Sequence, residues 1–134
     1  MTRTLLPAIA MFPFLAAAGC IGDETLRAYG GKGQVWALQE IDETTVSAST
    51  TLSFDRRSSV SGVLPCNQLV AQLRSPYPWF ELEQLATTRR VCPALAEETT
   101  ILEALQQMQV VEIKGRVMIL SNDAGREMVF TAAD

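Results

Sequence analysis

The stretch CPALAEETTILEALQQM, residues 92–108, is where the sequence adopts a helical period. Pro93 suits the first turn of a helix, and Glu97 and Glu98 place negative charge where a helix amino terminus favours it. Ile101, Leu102, Leu105 and Met108 follow at i, i+1, i+4 and i+7, the stripe of one amphipathic helix.

The segments on either side read as strands. Downstream, Val110 to Ile113 and Val117 to Leu120 flank a Lys114-Gly115 turn. A polar loop, Ser121 to Arg126, then leads to Met128-Val129-Phe130. Upstream, Gln34 to Gln39 alternates with Trp36 and Leu38 on one face, and Leu52 and Phe54 repeat the pattern. Asp55 to Ser59 is turn-like, and Val60 to Leu64 returns as a hairpin partner. Pro65-Cys66-Asn67 ends that strand, and Leu69 to Arg74 is a weaker one. Ser75-Pro76-Tyr77-Pro78 breaks the chain. In the strand-like Trp79-Phe80-Glu81-Leu82-Glu83, Phe80 and Leu82 face one way and both carboxylates the other. These short antiparallel strands and one helix predict a mainly β domain, either a small sheet or a partly open barrel packed against the single helix.

The amino terminus has a different character. Arg3 precedes an uncharged run from Thr4 to Gly22, the pattern of a secretory signal. Its strictly apolar part, Leu5 to Ala18, is shorter than the ~20 residues of a membrane-spanning helix, and Pro7 and Pro13 break it. Ala16-Ala17-Ala18-Gly19-Cys20 resembles the lipobox of bacterial lipoproteins, with Ala17 where leucine is usual. The resemblance implies a signal over 1–19, cleavage before Cys20 and lipidation of Cys20, with ordinary signal-peptidase cleavage at the alanines as the alternative. Charges and glycines make 20–33 a flexible tether to a domain over 34–134. Ile21 rather than aspartate after the cysteine favours the outer membrane.

With Cys20 carrying lipid, Cys66 and Cys92 remain as a pair in an oxidising compartment, where a disulfide persists. Closing that loop stabilises the fold by ~3 to 4 kcal/mol in the chain-entropy model. The alternative, zinc, is disfavoured: the chain has no histidine and no CxxC spacing. Losing 1–19 removes Arg3 alone among the charges, so the formal net charge moves from −4 to −5. An acidic domain of this kind lacks the footprint of a nucleic-acid binder. Membrane attachment therefore falls to the lipid on Cys20.

Several of these residues together resemble the META domain, the family of HslJ-like bacterial lipoproteins. They are Trp36-x-Leu38, Gly62 followed by Cys66-Asn67, and Leu85-Ala86-Thr87-Thr88-Arg89 leading to Cys92-Pro93. Glu98-x-x-Ile101-Leu102-x-x-Leu105 resembles its helix, and Gly125 before Met128-Val129-Phe130 its closing strand. The resemblance runs from Val35 to Phe130. It implies a mostly β fold similar to the cracked barrels of secretion pilot lipoproteins, which can hold acyl chains. It also implies an envelope location and an association with heat or antibiotic stress, and it supplies no catalytic residue. Two positions depart from the family pattern. Pro65 stands where a small residue is common, and Arg90 replaces an apolar residue, so that position is expected to face solvent.

The remaining candidates for chemistry are sparse. Without histidine, neither a Ser-His-Asp nor a Cys-His arrangement exists. Glu81 and Glu83 lie about 7 Å apart on one strand face, a spacing open to acid–base work but better suited to a solvated outer face. Arg56-Arg57 and Arg89-Arg90 read as exposed turn charges. Tyr77 and Trp79, rings on a proline-bounded loop, are candidate partner contacts, with packing over a sheet edge as the alternative. No cofactor and no metal are expected. The function expected is therefore that of a non-catalytic envelope lipoprotein acting by protein contact, as a stress factor, assembly factor or hydrolase inhibitor. The competing reading is a small barrel holding a lipid or other apolar ligand.

Overall fold

The computed structural model describes residues 25–133, apart from 32, 55 and 57. Cys20 and the segment 1–19 lie outside the described residues. Nine strands form one antiparallel sheet: β1 (Val35–Ile41), β2 (Thr44–Thr45), β3 (Thr51–Ser53), β4 (Ser59–Val63), β5 (Gln68–Leu73), β6 (Leu82–Thr87), β7 (Val110–Lys114), β8 (Val117–Ser121) and β9 (Glu127–Ala133). The helix α1 (Leu95–Gln107) lies between β6 and β7 in the chain. The strand path is β6-β5-β4-β3-β1-β9-β8-β7, with β2 added beside β1. The sheet curls into a half-barrel, as the mainly β, single-helix reading of the sequence expects.

Alternation along the strands explains the curl, because one face is apolar and must be covered. Trp36, Leu52, Leu69, Met118, Leu120, Met128 and Phe130 are buried together with Ile101, Ala104 and Leu105 of α1 in one cluster. The indole Nε1 of Trp36 has no hydrogen-bond partner among the described residues. Leu26, inside the stretch read as a tether, is itself part of this core. Arg27–Gly31 form one turn of π-helix, and a Cβ on Gly30 would stand 3.2 Å from Ile113 Cγ2. The folded body thus extends upstream of Gln34, because a leucine in a charged stretch has apolar area to bury.

Two elements differ from the sequence reading. The strand expected over Trp79–Glu83 begins three residues later, at Leu82, and runs to Thr87. The preceding residues have another partner. Trp79 bridges Val110, the Phe80 N–H donates to Gln109 O at 2.8 Å, and the Val111 N–H donates to Pro78 O at 2.8 Å. The Ile113 N–H donates to the Tyr77 hydroxyl at 3.3 Å. The segment 77–80 therefore crosses to β7, the far end of the strand path, and occupies its outer edge. Strand period reports which face a residue takes but says nothing about its neighbour.

The second difference is β2, a short return of the chain after Asp42 and Glu43, both at positive φ (48° and 63°). That is the turn a tight hairpin favours, although Asp-Glu lacks the glycine that usually marks it. Asp42 is also fixed from outside. Its carboxylate accepts from Arg126 Nη2 at 2.9 Å, Arg126 Nε at 3.0 Å and the Glu127 N–H at 3.0 Å.

The Glu127 backbone N–H and the Arg126 guanidinium hold the Asp42 carboxyl below the usual carboxylate range. A depressed native value contributes stability above the unfolded pKa, about 3.9, and loses it as pH falls through the native value. Asp42→Asn should flatten the loss of stability on the acid side, read from denaturation midpoints between neutrality and about pH 2. A second test addresses the sheet. A Cβ on Gly62 would lie 3.0 Å from Thr51 O, 3.0 Å from Leu52 Cδ2 and 3.1 Å from Leu69 Cδ2. The backbone oxygen cannot move aside, so Gly62→Ala should cost about 1–3 kcal/mol in urea denaturation, and an unchanged midpoint would contradict this packing.

Candidate functional site

Two arrangements stand out, one buried and one open. The buried one begins at the first turn of α1. Glu98 is 2 % exposed, and its carboxylate accepts three hydrogen bonds. They come from the Cys66 N–H at 2.6 Å, the Asn67 N–H at 3.0 Å and Asn67 Nδ2 at 2.6 Å. Asn67, itself buried, accepts at Oδ1 from Thr88 Oγ1 at 3.0 Å and from the Arg90 N–H. Its Nδ2 also donates to Arg90 O at 3.1 Å. The β4–β5 turn, the chain after β6 and the start of α1 are thereby joined at one amide and one carboxylate.

Cys66 and Cys92 form a disulfide beside this network, with Cα atoms 5.6 Å apart. The pairing matches the expectation from cysteine usage. The backbone of Arg90 is fixed by Asn67 while its side chain is exposed, as the departure from an apolar residue there suggested. Glu97, one residue from Glu98, faces another loop and accepts from the Ala48 N–H at 3.1 Å. Adjacent carboxylates at the helix start thus tie α1 to two different loops. Glu98 was legible in principle, because it lies three residues before Ile101 and seven before Leu105, on the apolar stripe itself.

The open arrangement lies at the other end of the helix. A groove of about 1040 Å³ runs beside Trp79, lined also by Glu81, Gln106, Gln107, Gln109 and Asp123. Trp79 is 58 % exposed, whereas Phe80 beside it is buried. Tyr77 packs partly buried against the core. The two rings read together as contacts are thus placed differently. Trp79 is held by its backbone: its N–H donates to Pro76 O at 2.8 Å and its carbonyl accepts from Ser75 Oγ at 3.2 Å.

Of the other candidates, Glu81 shares the groove with Trp79 and the other described ones lie outside it. Glu81 and Glu83 are both exposed, and Glu83 pairs with Arg74 at 3.6 Å. Arg56, Arg89 and Arg90 are exposed, and Arg57 lies outside the described residues. Among the described residues no three His, Cys, Asp or Glu side chains gather as metal ligands. No described helix is long and apolar enough to cross a membrane.

These features define a class of small antiparallel half-barrels with one helix pinned at its amino end, a buried apolar core and an open groove at the helix carboxyl end. The META domain model matches residues 30–134, and the chain belongs to the META domain family. Solved structures share the fold. A protein from Burkholderia xenovorans, solved by NMR, has a TM-score of 0.66 at 20 % identity and covers 99 % of this chain and 98 % of its own. A second NMR structure gives 0.60 at 23 % identity over 75 % and 90 %. A DUF4847 family protein from Bacteroides vulgatus, solved by crystallography, gives 0.61 at 8 % identity over 77 % and 94 %. No curated protein matches the chain.

Glu98→Gln replaces an oxygen that accepts with an NH2 that cannot, and leaves a buried donor facing a donor. A loss of about 2–3 kcal/mol in urea denaturation is expected. Glu97→Gln, at a less buried position, should cost no more than about 1 kcal/mol. Equal losses for the two variants would contradict a special role for the buried carboxylate.

Proposed function

We propose that this META domain protein is a cell-envelope lipoprotein, anchored through Cys20, that acts by contact rather than by catalysis. Its contact surface in this reading is the groove beside Trp79. The carrying observation is the ring itself, 58 % exposed on a backbone tied to Pro76, Ser75 and β7. A large apolar group fixed in an exposed position loses little freedom when a partner covers it. Tyr77 contributes by holding the segment to β7 rather than by touching the partner.

The non-catalytic part of the reading is supported by the lack of histidine. A ligand inside the barrel is not part of it, since large side chains, Trp36, Phe80 and Phe130 among them, are buried in the core. The anchor is supported by the run from Thr4 to Gly22 and the lipobox-like Ala16 to Cys20. The periplasmic face of the outer membrane is its proposed location, and envelope stress its setting.

Replacing Cys20 by Ser in the full chain should move the protein out of the membrane fraction or leave it as uncleaved precursor. Membrane attachment of a correctly cleaved Cys20→Ser product would overturn the anchor.

A further inference from the structure

We infer that the groove beside Trp79 binds an uncharged oligosaccharide, the exposed indole stacking on a sugar ring and the surrounding amides and carboxylates pairing with its hydroxyls; this rests on the contact reading above.

The lining carries the inference. Gln107 Oε1 accepts from Arg126 Nη1 at 3.0 Å, and Gln109 Oε1 accepts from the Asp123 N–H at 3.1 Å. With both oxygens taken, each amide is fixed in plane and its NH2 remains a donor. Glu81 and Asp123 add carboxylates, which when ionised only accept. Asn122, also in the wall, is held at both ends, by the Arg126 N–H at Oδ1 (3.0 Å) and by Gln107 O at Nδ2 (3.2 Å). The groove therefore presents fixed donors, fixed acceptors and one flat apolar surface. A saccharide presents the matching set, because each hydroxyl both donates and accepts while the C–H face of the ring is apolar.

Competing occupants fit less well. An anionic glycan would meet Glu81 and Asp123 with no lysine or arginine in the lining. An organic cation would satisfy the carboxylates and the indole face but leave the Gln107 and Gln109 NH2 groups facing positive charge. A peptide adding as a strand needs a free edge, and that of β7 is taken by Pro78 O and the Phe80 N–H. The groove volume, about 1040 Å³, is at the upper end of small-molecule sites, ~300–1,000 Å³, which suits several sugar rings better than one.

The chain carries its own reporter, since Trp36 is fully buried and Trp79 exposed, so a ligand-induced change in tryptophan fluorescence arises at Trp79. The full chain in detergent would be titrated with cellotetraose, maltotetraose and tetra-N-acetylchitotetraose, with tetragalacturonate and tetralysine as charged controls. At least one neutral probe should saturate with a Kd below about 1 mM, with tetragalacturonate inert. Trp79→Ala, checked by calorimetry, should weaken that binding at least about tenfold with no change in Tm, because the backbone contacts remain. The inference fails if no neutral probe saturates by about 10 mM, or if Trp79→Ala binds as well as the parent. Binding of tetralysine alone, lost in Trp79→Ala, would overturn the saccharide and leave the contact reading standing. Hydrolysis of a bound neutral probe would support the saccharide site and overturn the non-catalytic reading.

Discussion

A single carboxylate holds the helix in place. Glu98 lies on the face of α1 that packs on the sheet, where an ionised group is costly unless its oxygens are satisfied. The β4–β5 turn satisfies them with two backbone N–H groups and one side-chain amide, all from Cys66 and Asn67. The turn could not present these donors in another conformation, and the helix could not rotate or slide without stranding the charge. The hydrophobic contacts of Ile101, Ala104 and Leu105 give affinity between helix and sheet, but apolar packing tolerates several registers. The carboxylate selects one. The disulfide adds a covalent link between the same segments, so the corner is fixed by two mechanisms with different sensitivities: reduction removes one and leaves the other.

From that corner the rest of the architecture follows. With the amino end of α1 fixed, its carboxyl end delivers Gln106 to Gln109 to one wall of the groove, and β7 starts immediately beyond. The segment 77–80 then lies along the outer edge of β7, using Pro78 O, the Phe80 N–H and the Tyr77 hydroxyl to satisfy backbone groups that an edge strand leaves open. An uncovered edge invites pairing with other chains, so this cover is useful in its own right. It also explains why Phe80 is buried and Trp79 is not. Adjacent residues on an extended segment point to opposite sides, and only one side faces the core.

Much of the fold was legible, and for simple reasons. The helix could be read from Ile101, Leu102, Leu105 and Met108, and the inward residues along β1 and around β3 from alternation at Trp36, Leu38, Leu52 and Phe54. Both signals are local, set by 3.6- and 2-residue periods. The disulfide was legible from bookkeeping once an exported chain was assumed. What escaped was pairing between distant segments. Nothing within residues 77–80 announces that β7, some thirty residues later, is their partner. Leu26 was hidden by charged and glycine-rich neighbours, which are a guide to average solvation and a poor guide to one side chain. Glu98 was visible as a charge but read as a helix-end preference; its place on the apolar stripe carried the stronger message. Of the groove, Trp79 was singled out by its proline-bounded loop, whereas the glutamines opposite come from a helix end that no sequence pattern relates to it.

Leu26 sets a geometric limit on how the molecule meets a membrane. It lies six positions after Cys20, and a chain that short spans no more than about 22 Å even when fully extended. Leu26 belongs to the core, so for a protein lipidated at Cys20 the leash is too short to let the domain explore the periplasmic space. The domain would ride close to the bilayer. The turn that follows Leu26 rests on Ile113, the residue whose N–H also meets Tyr77, and Val110, which bridges Trp79, lies only three residues back along the same strand. In a protein so anchored, the exposed indole would meet material lying near the bilayer rather than molecules diffusing freely beyond it.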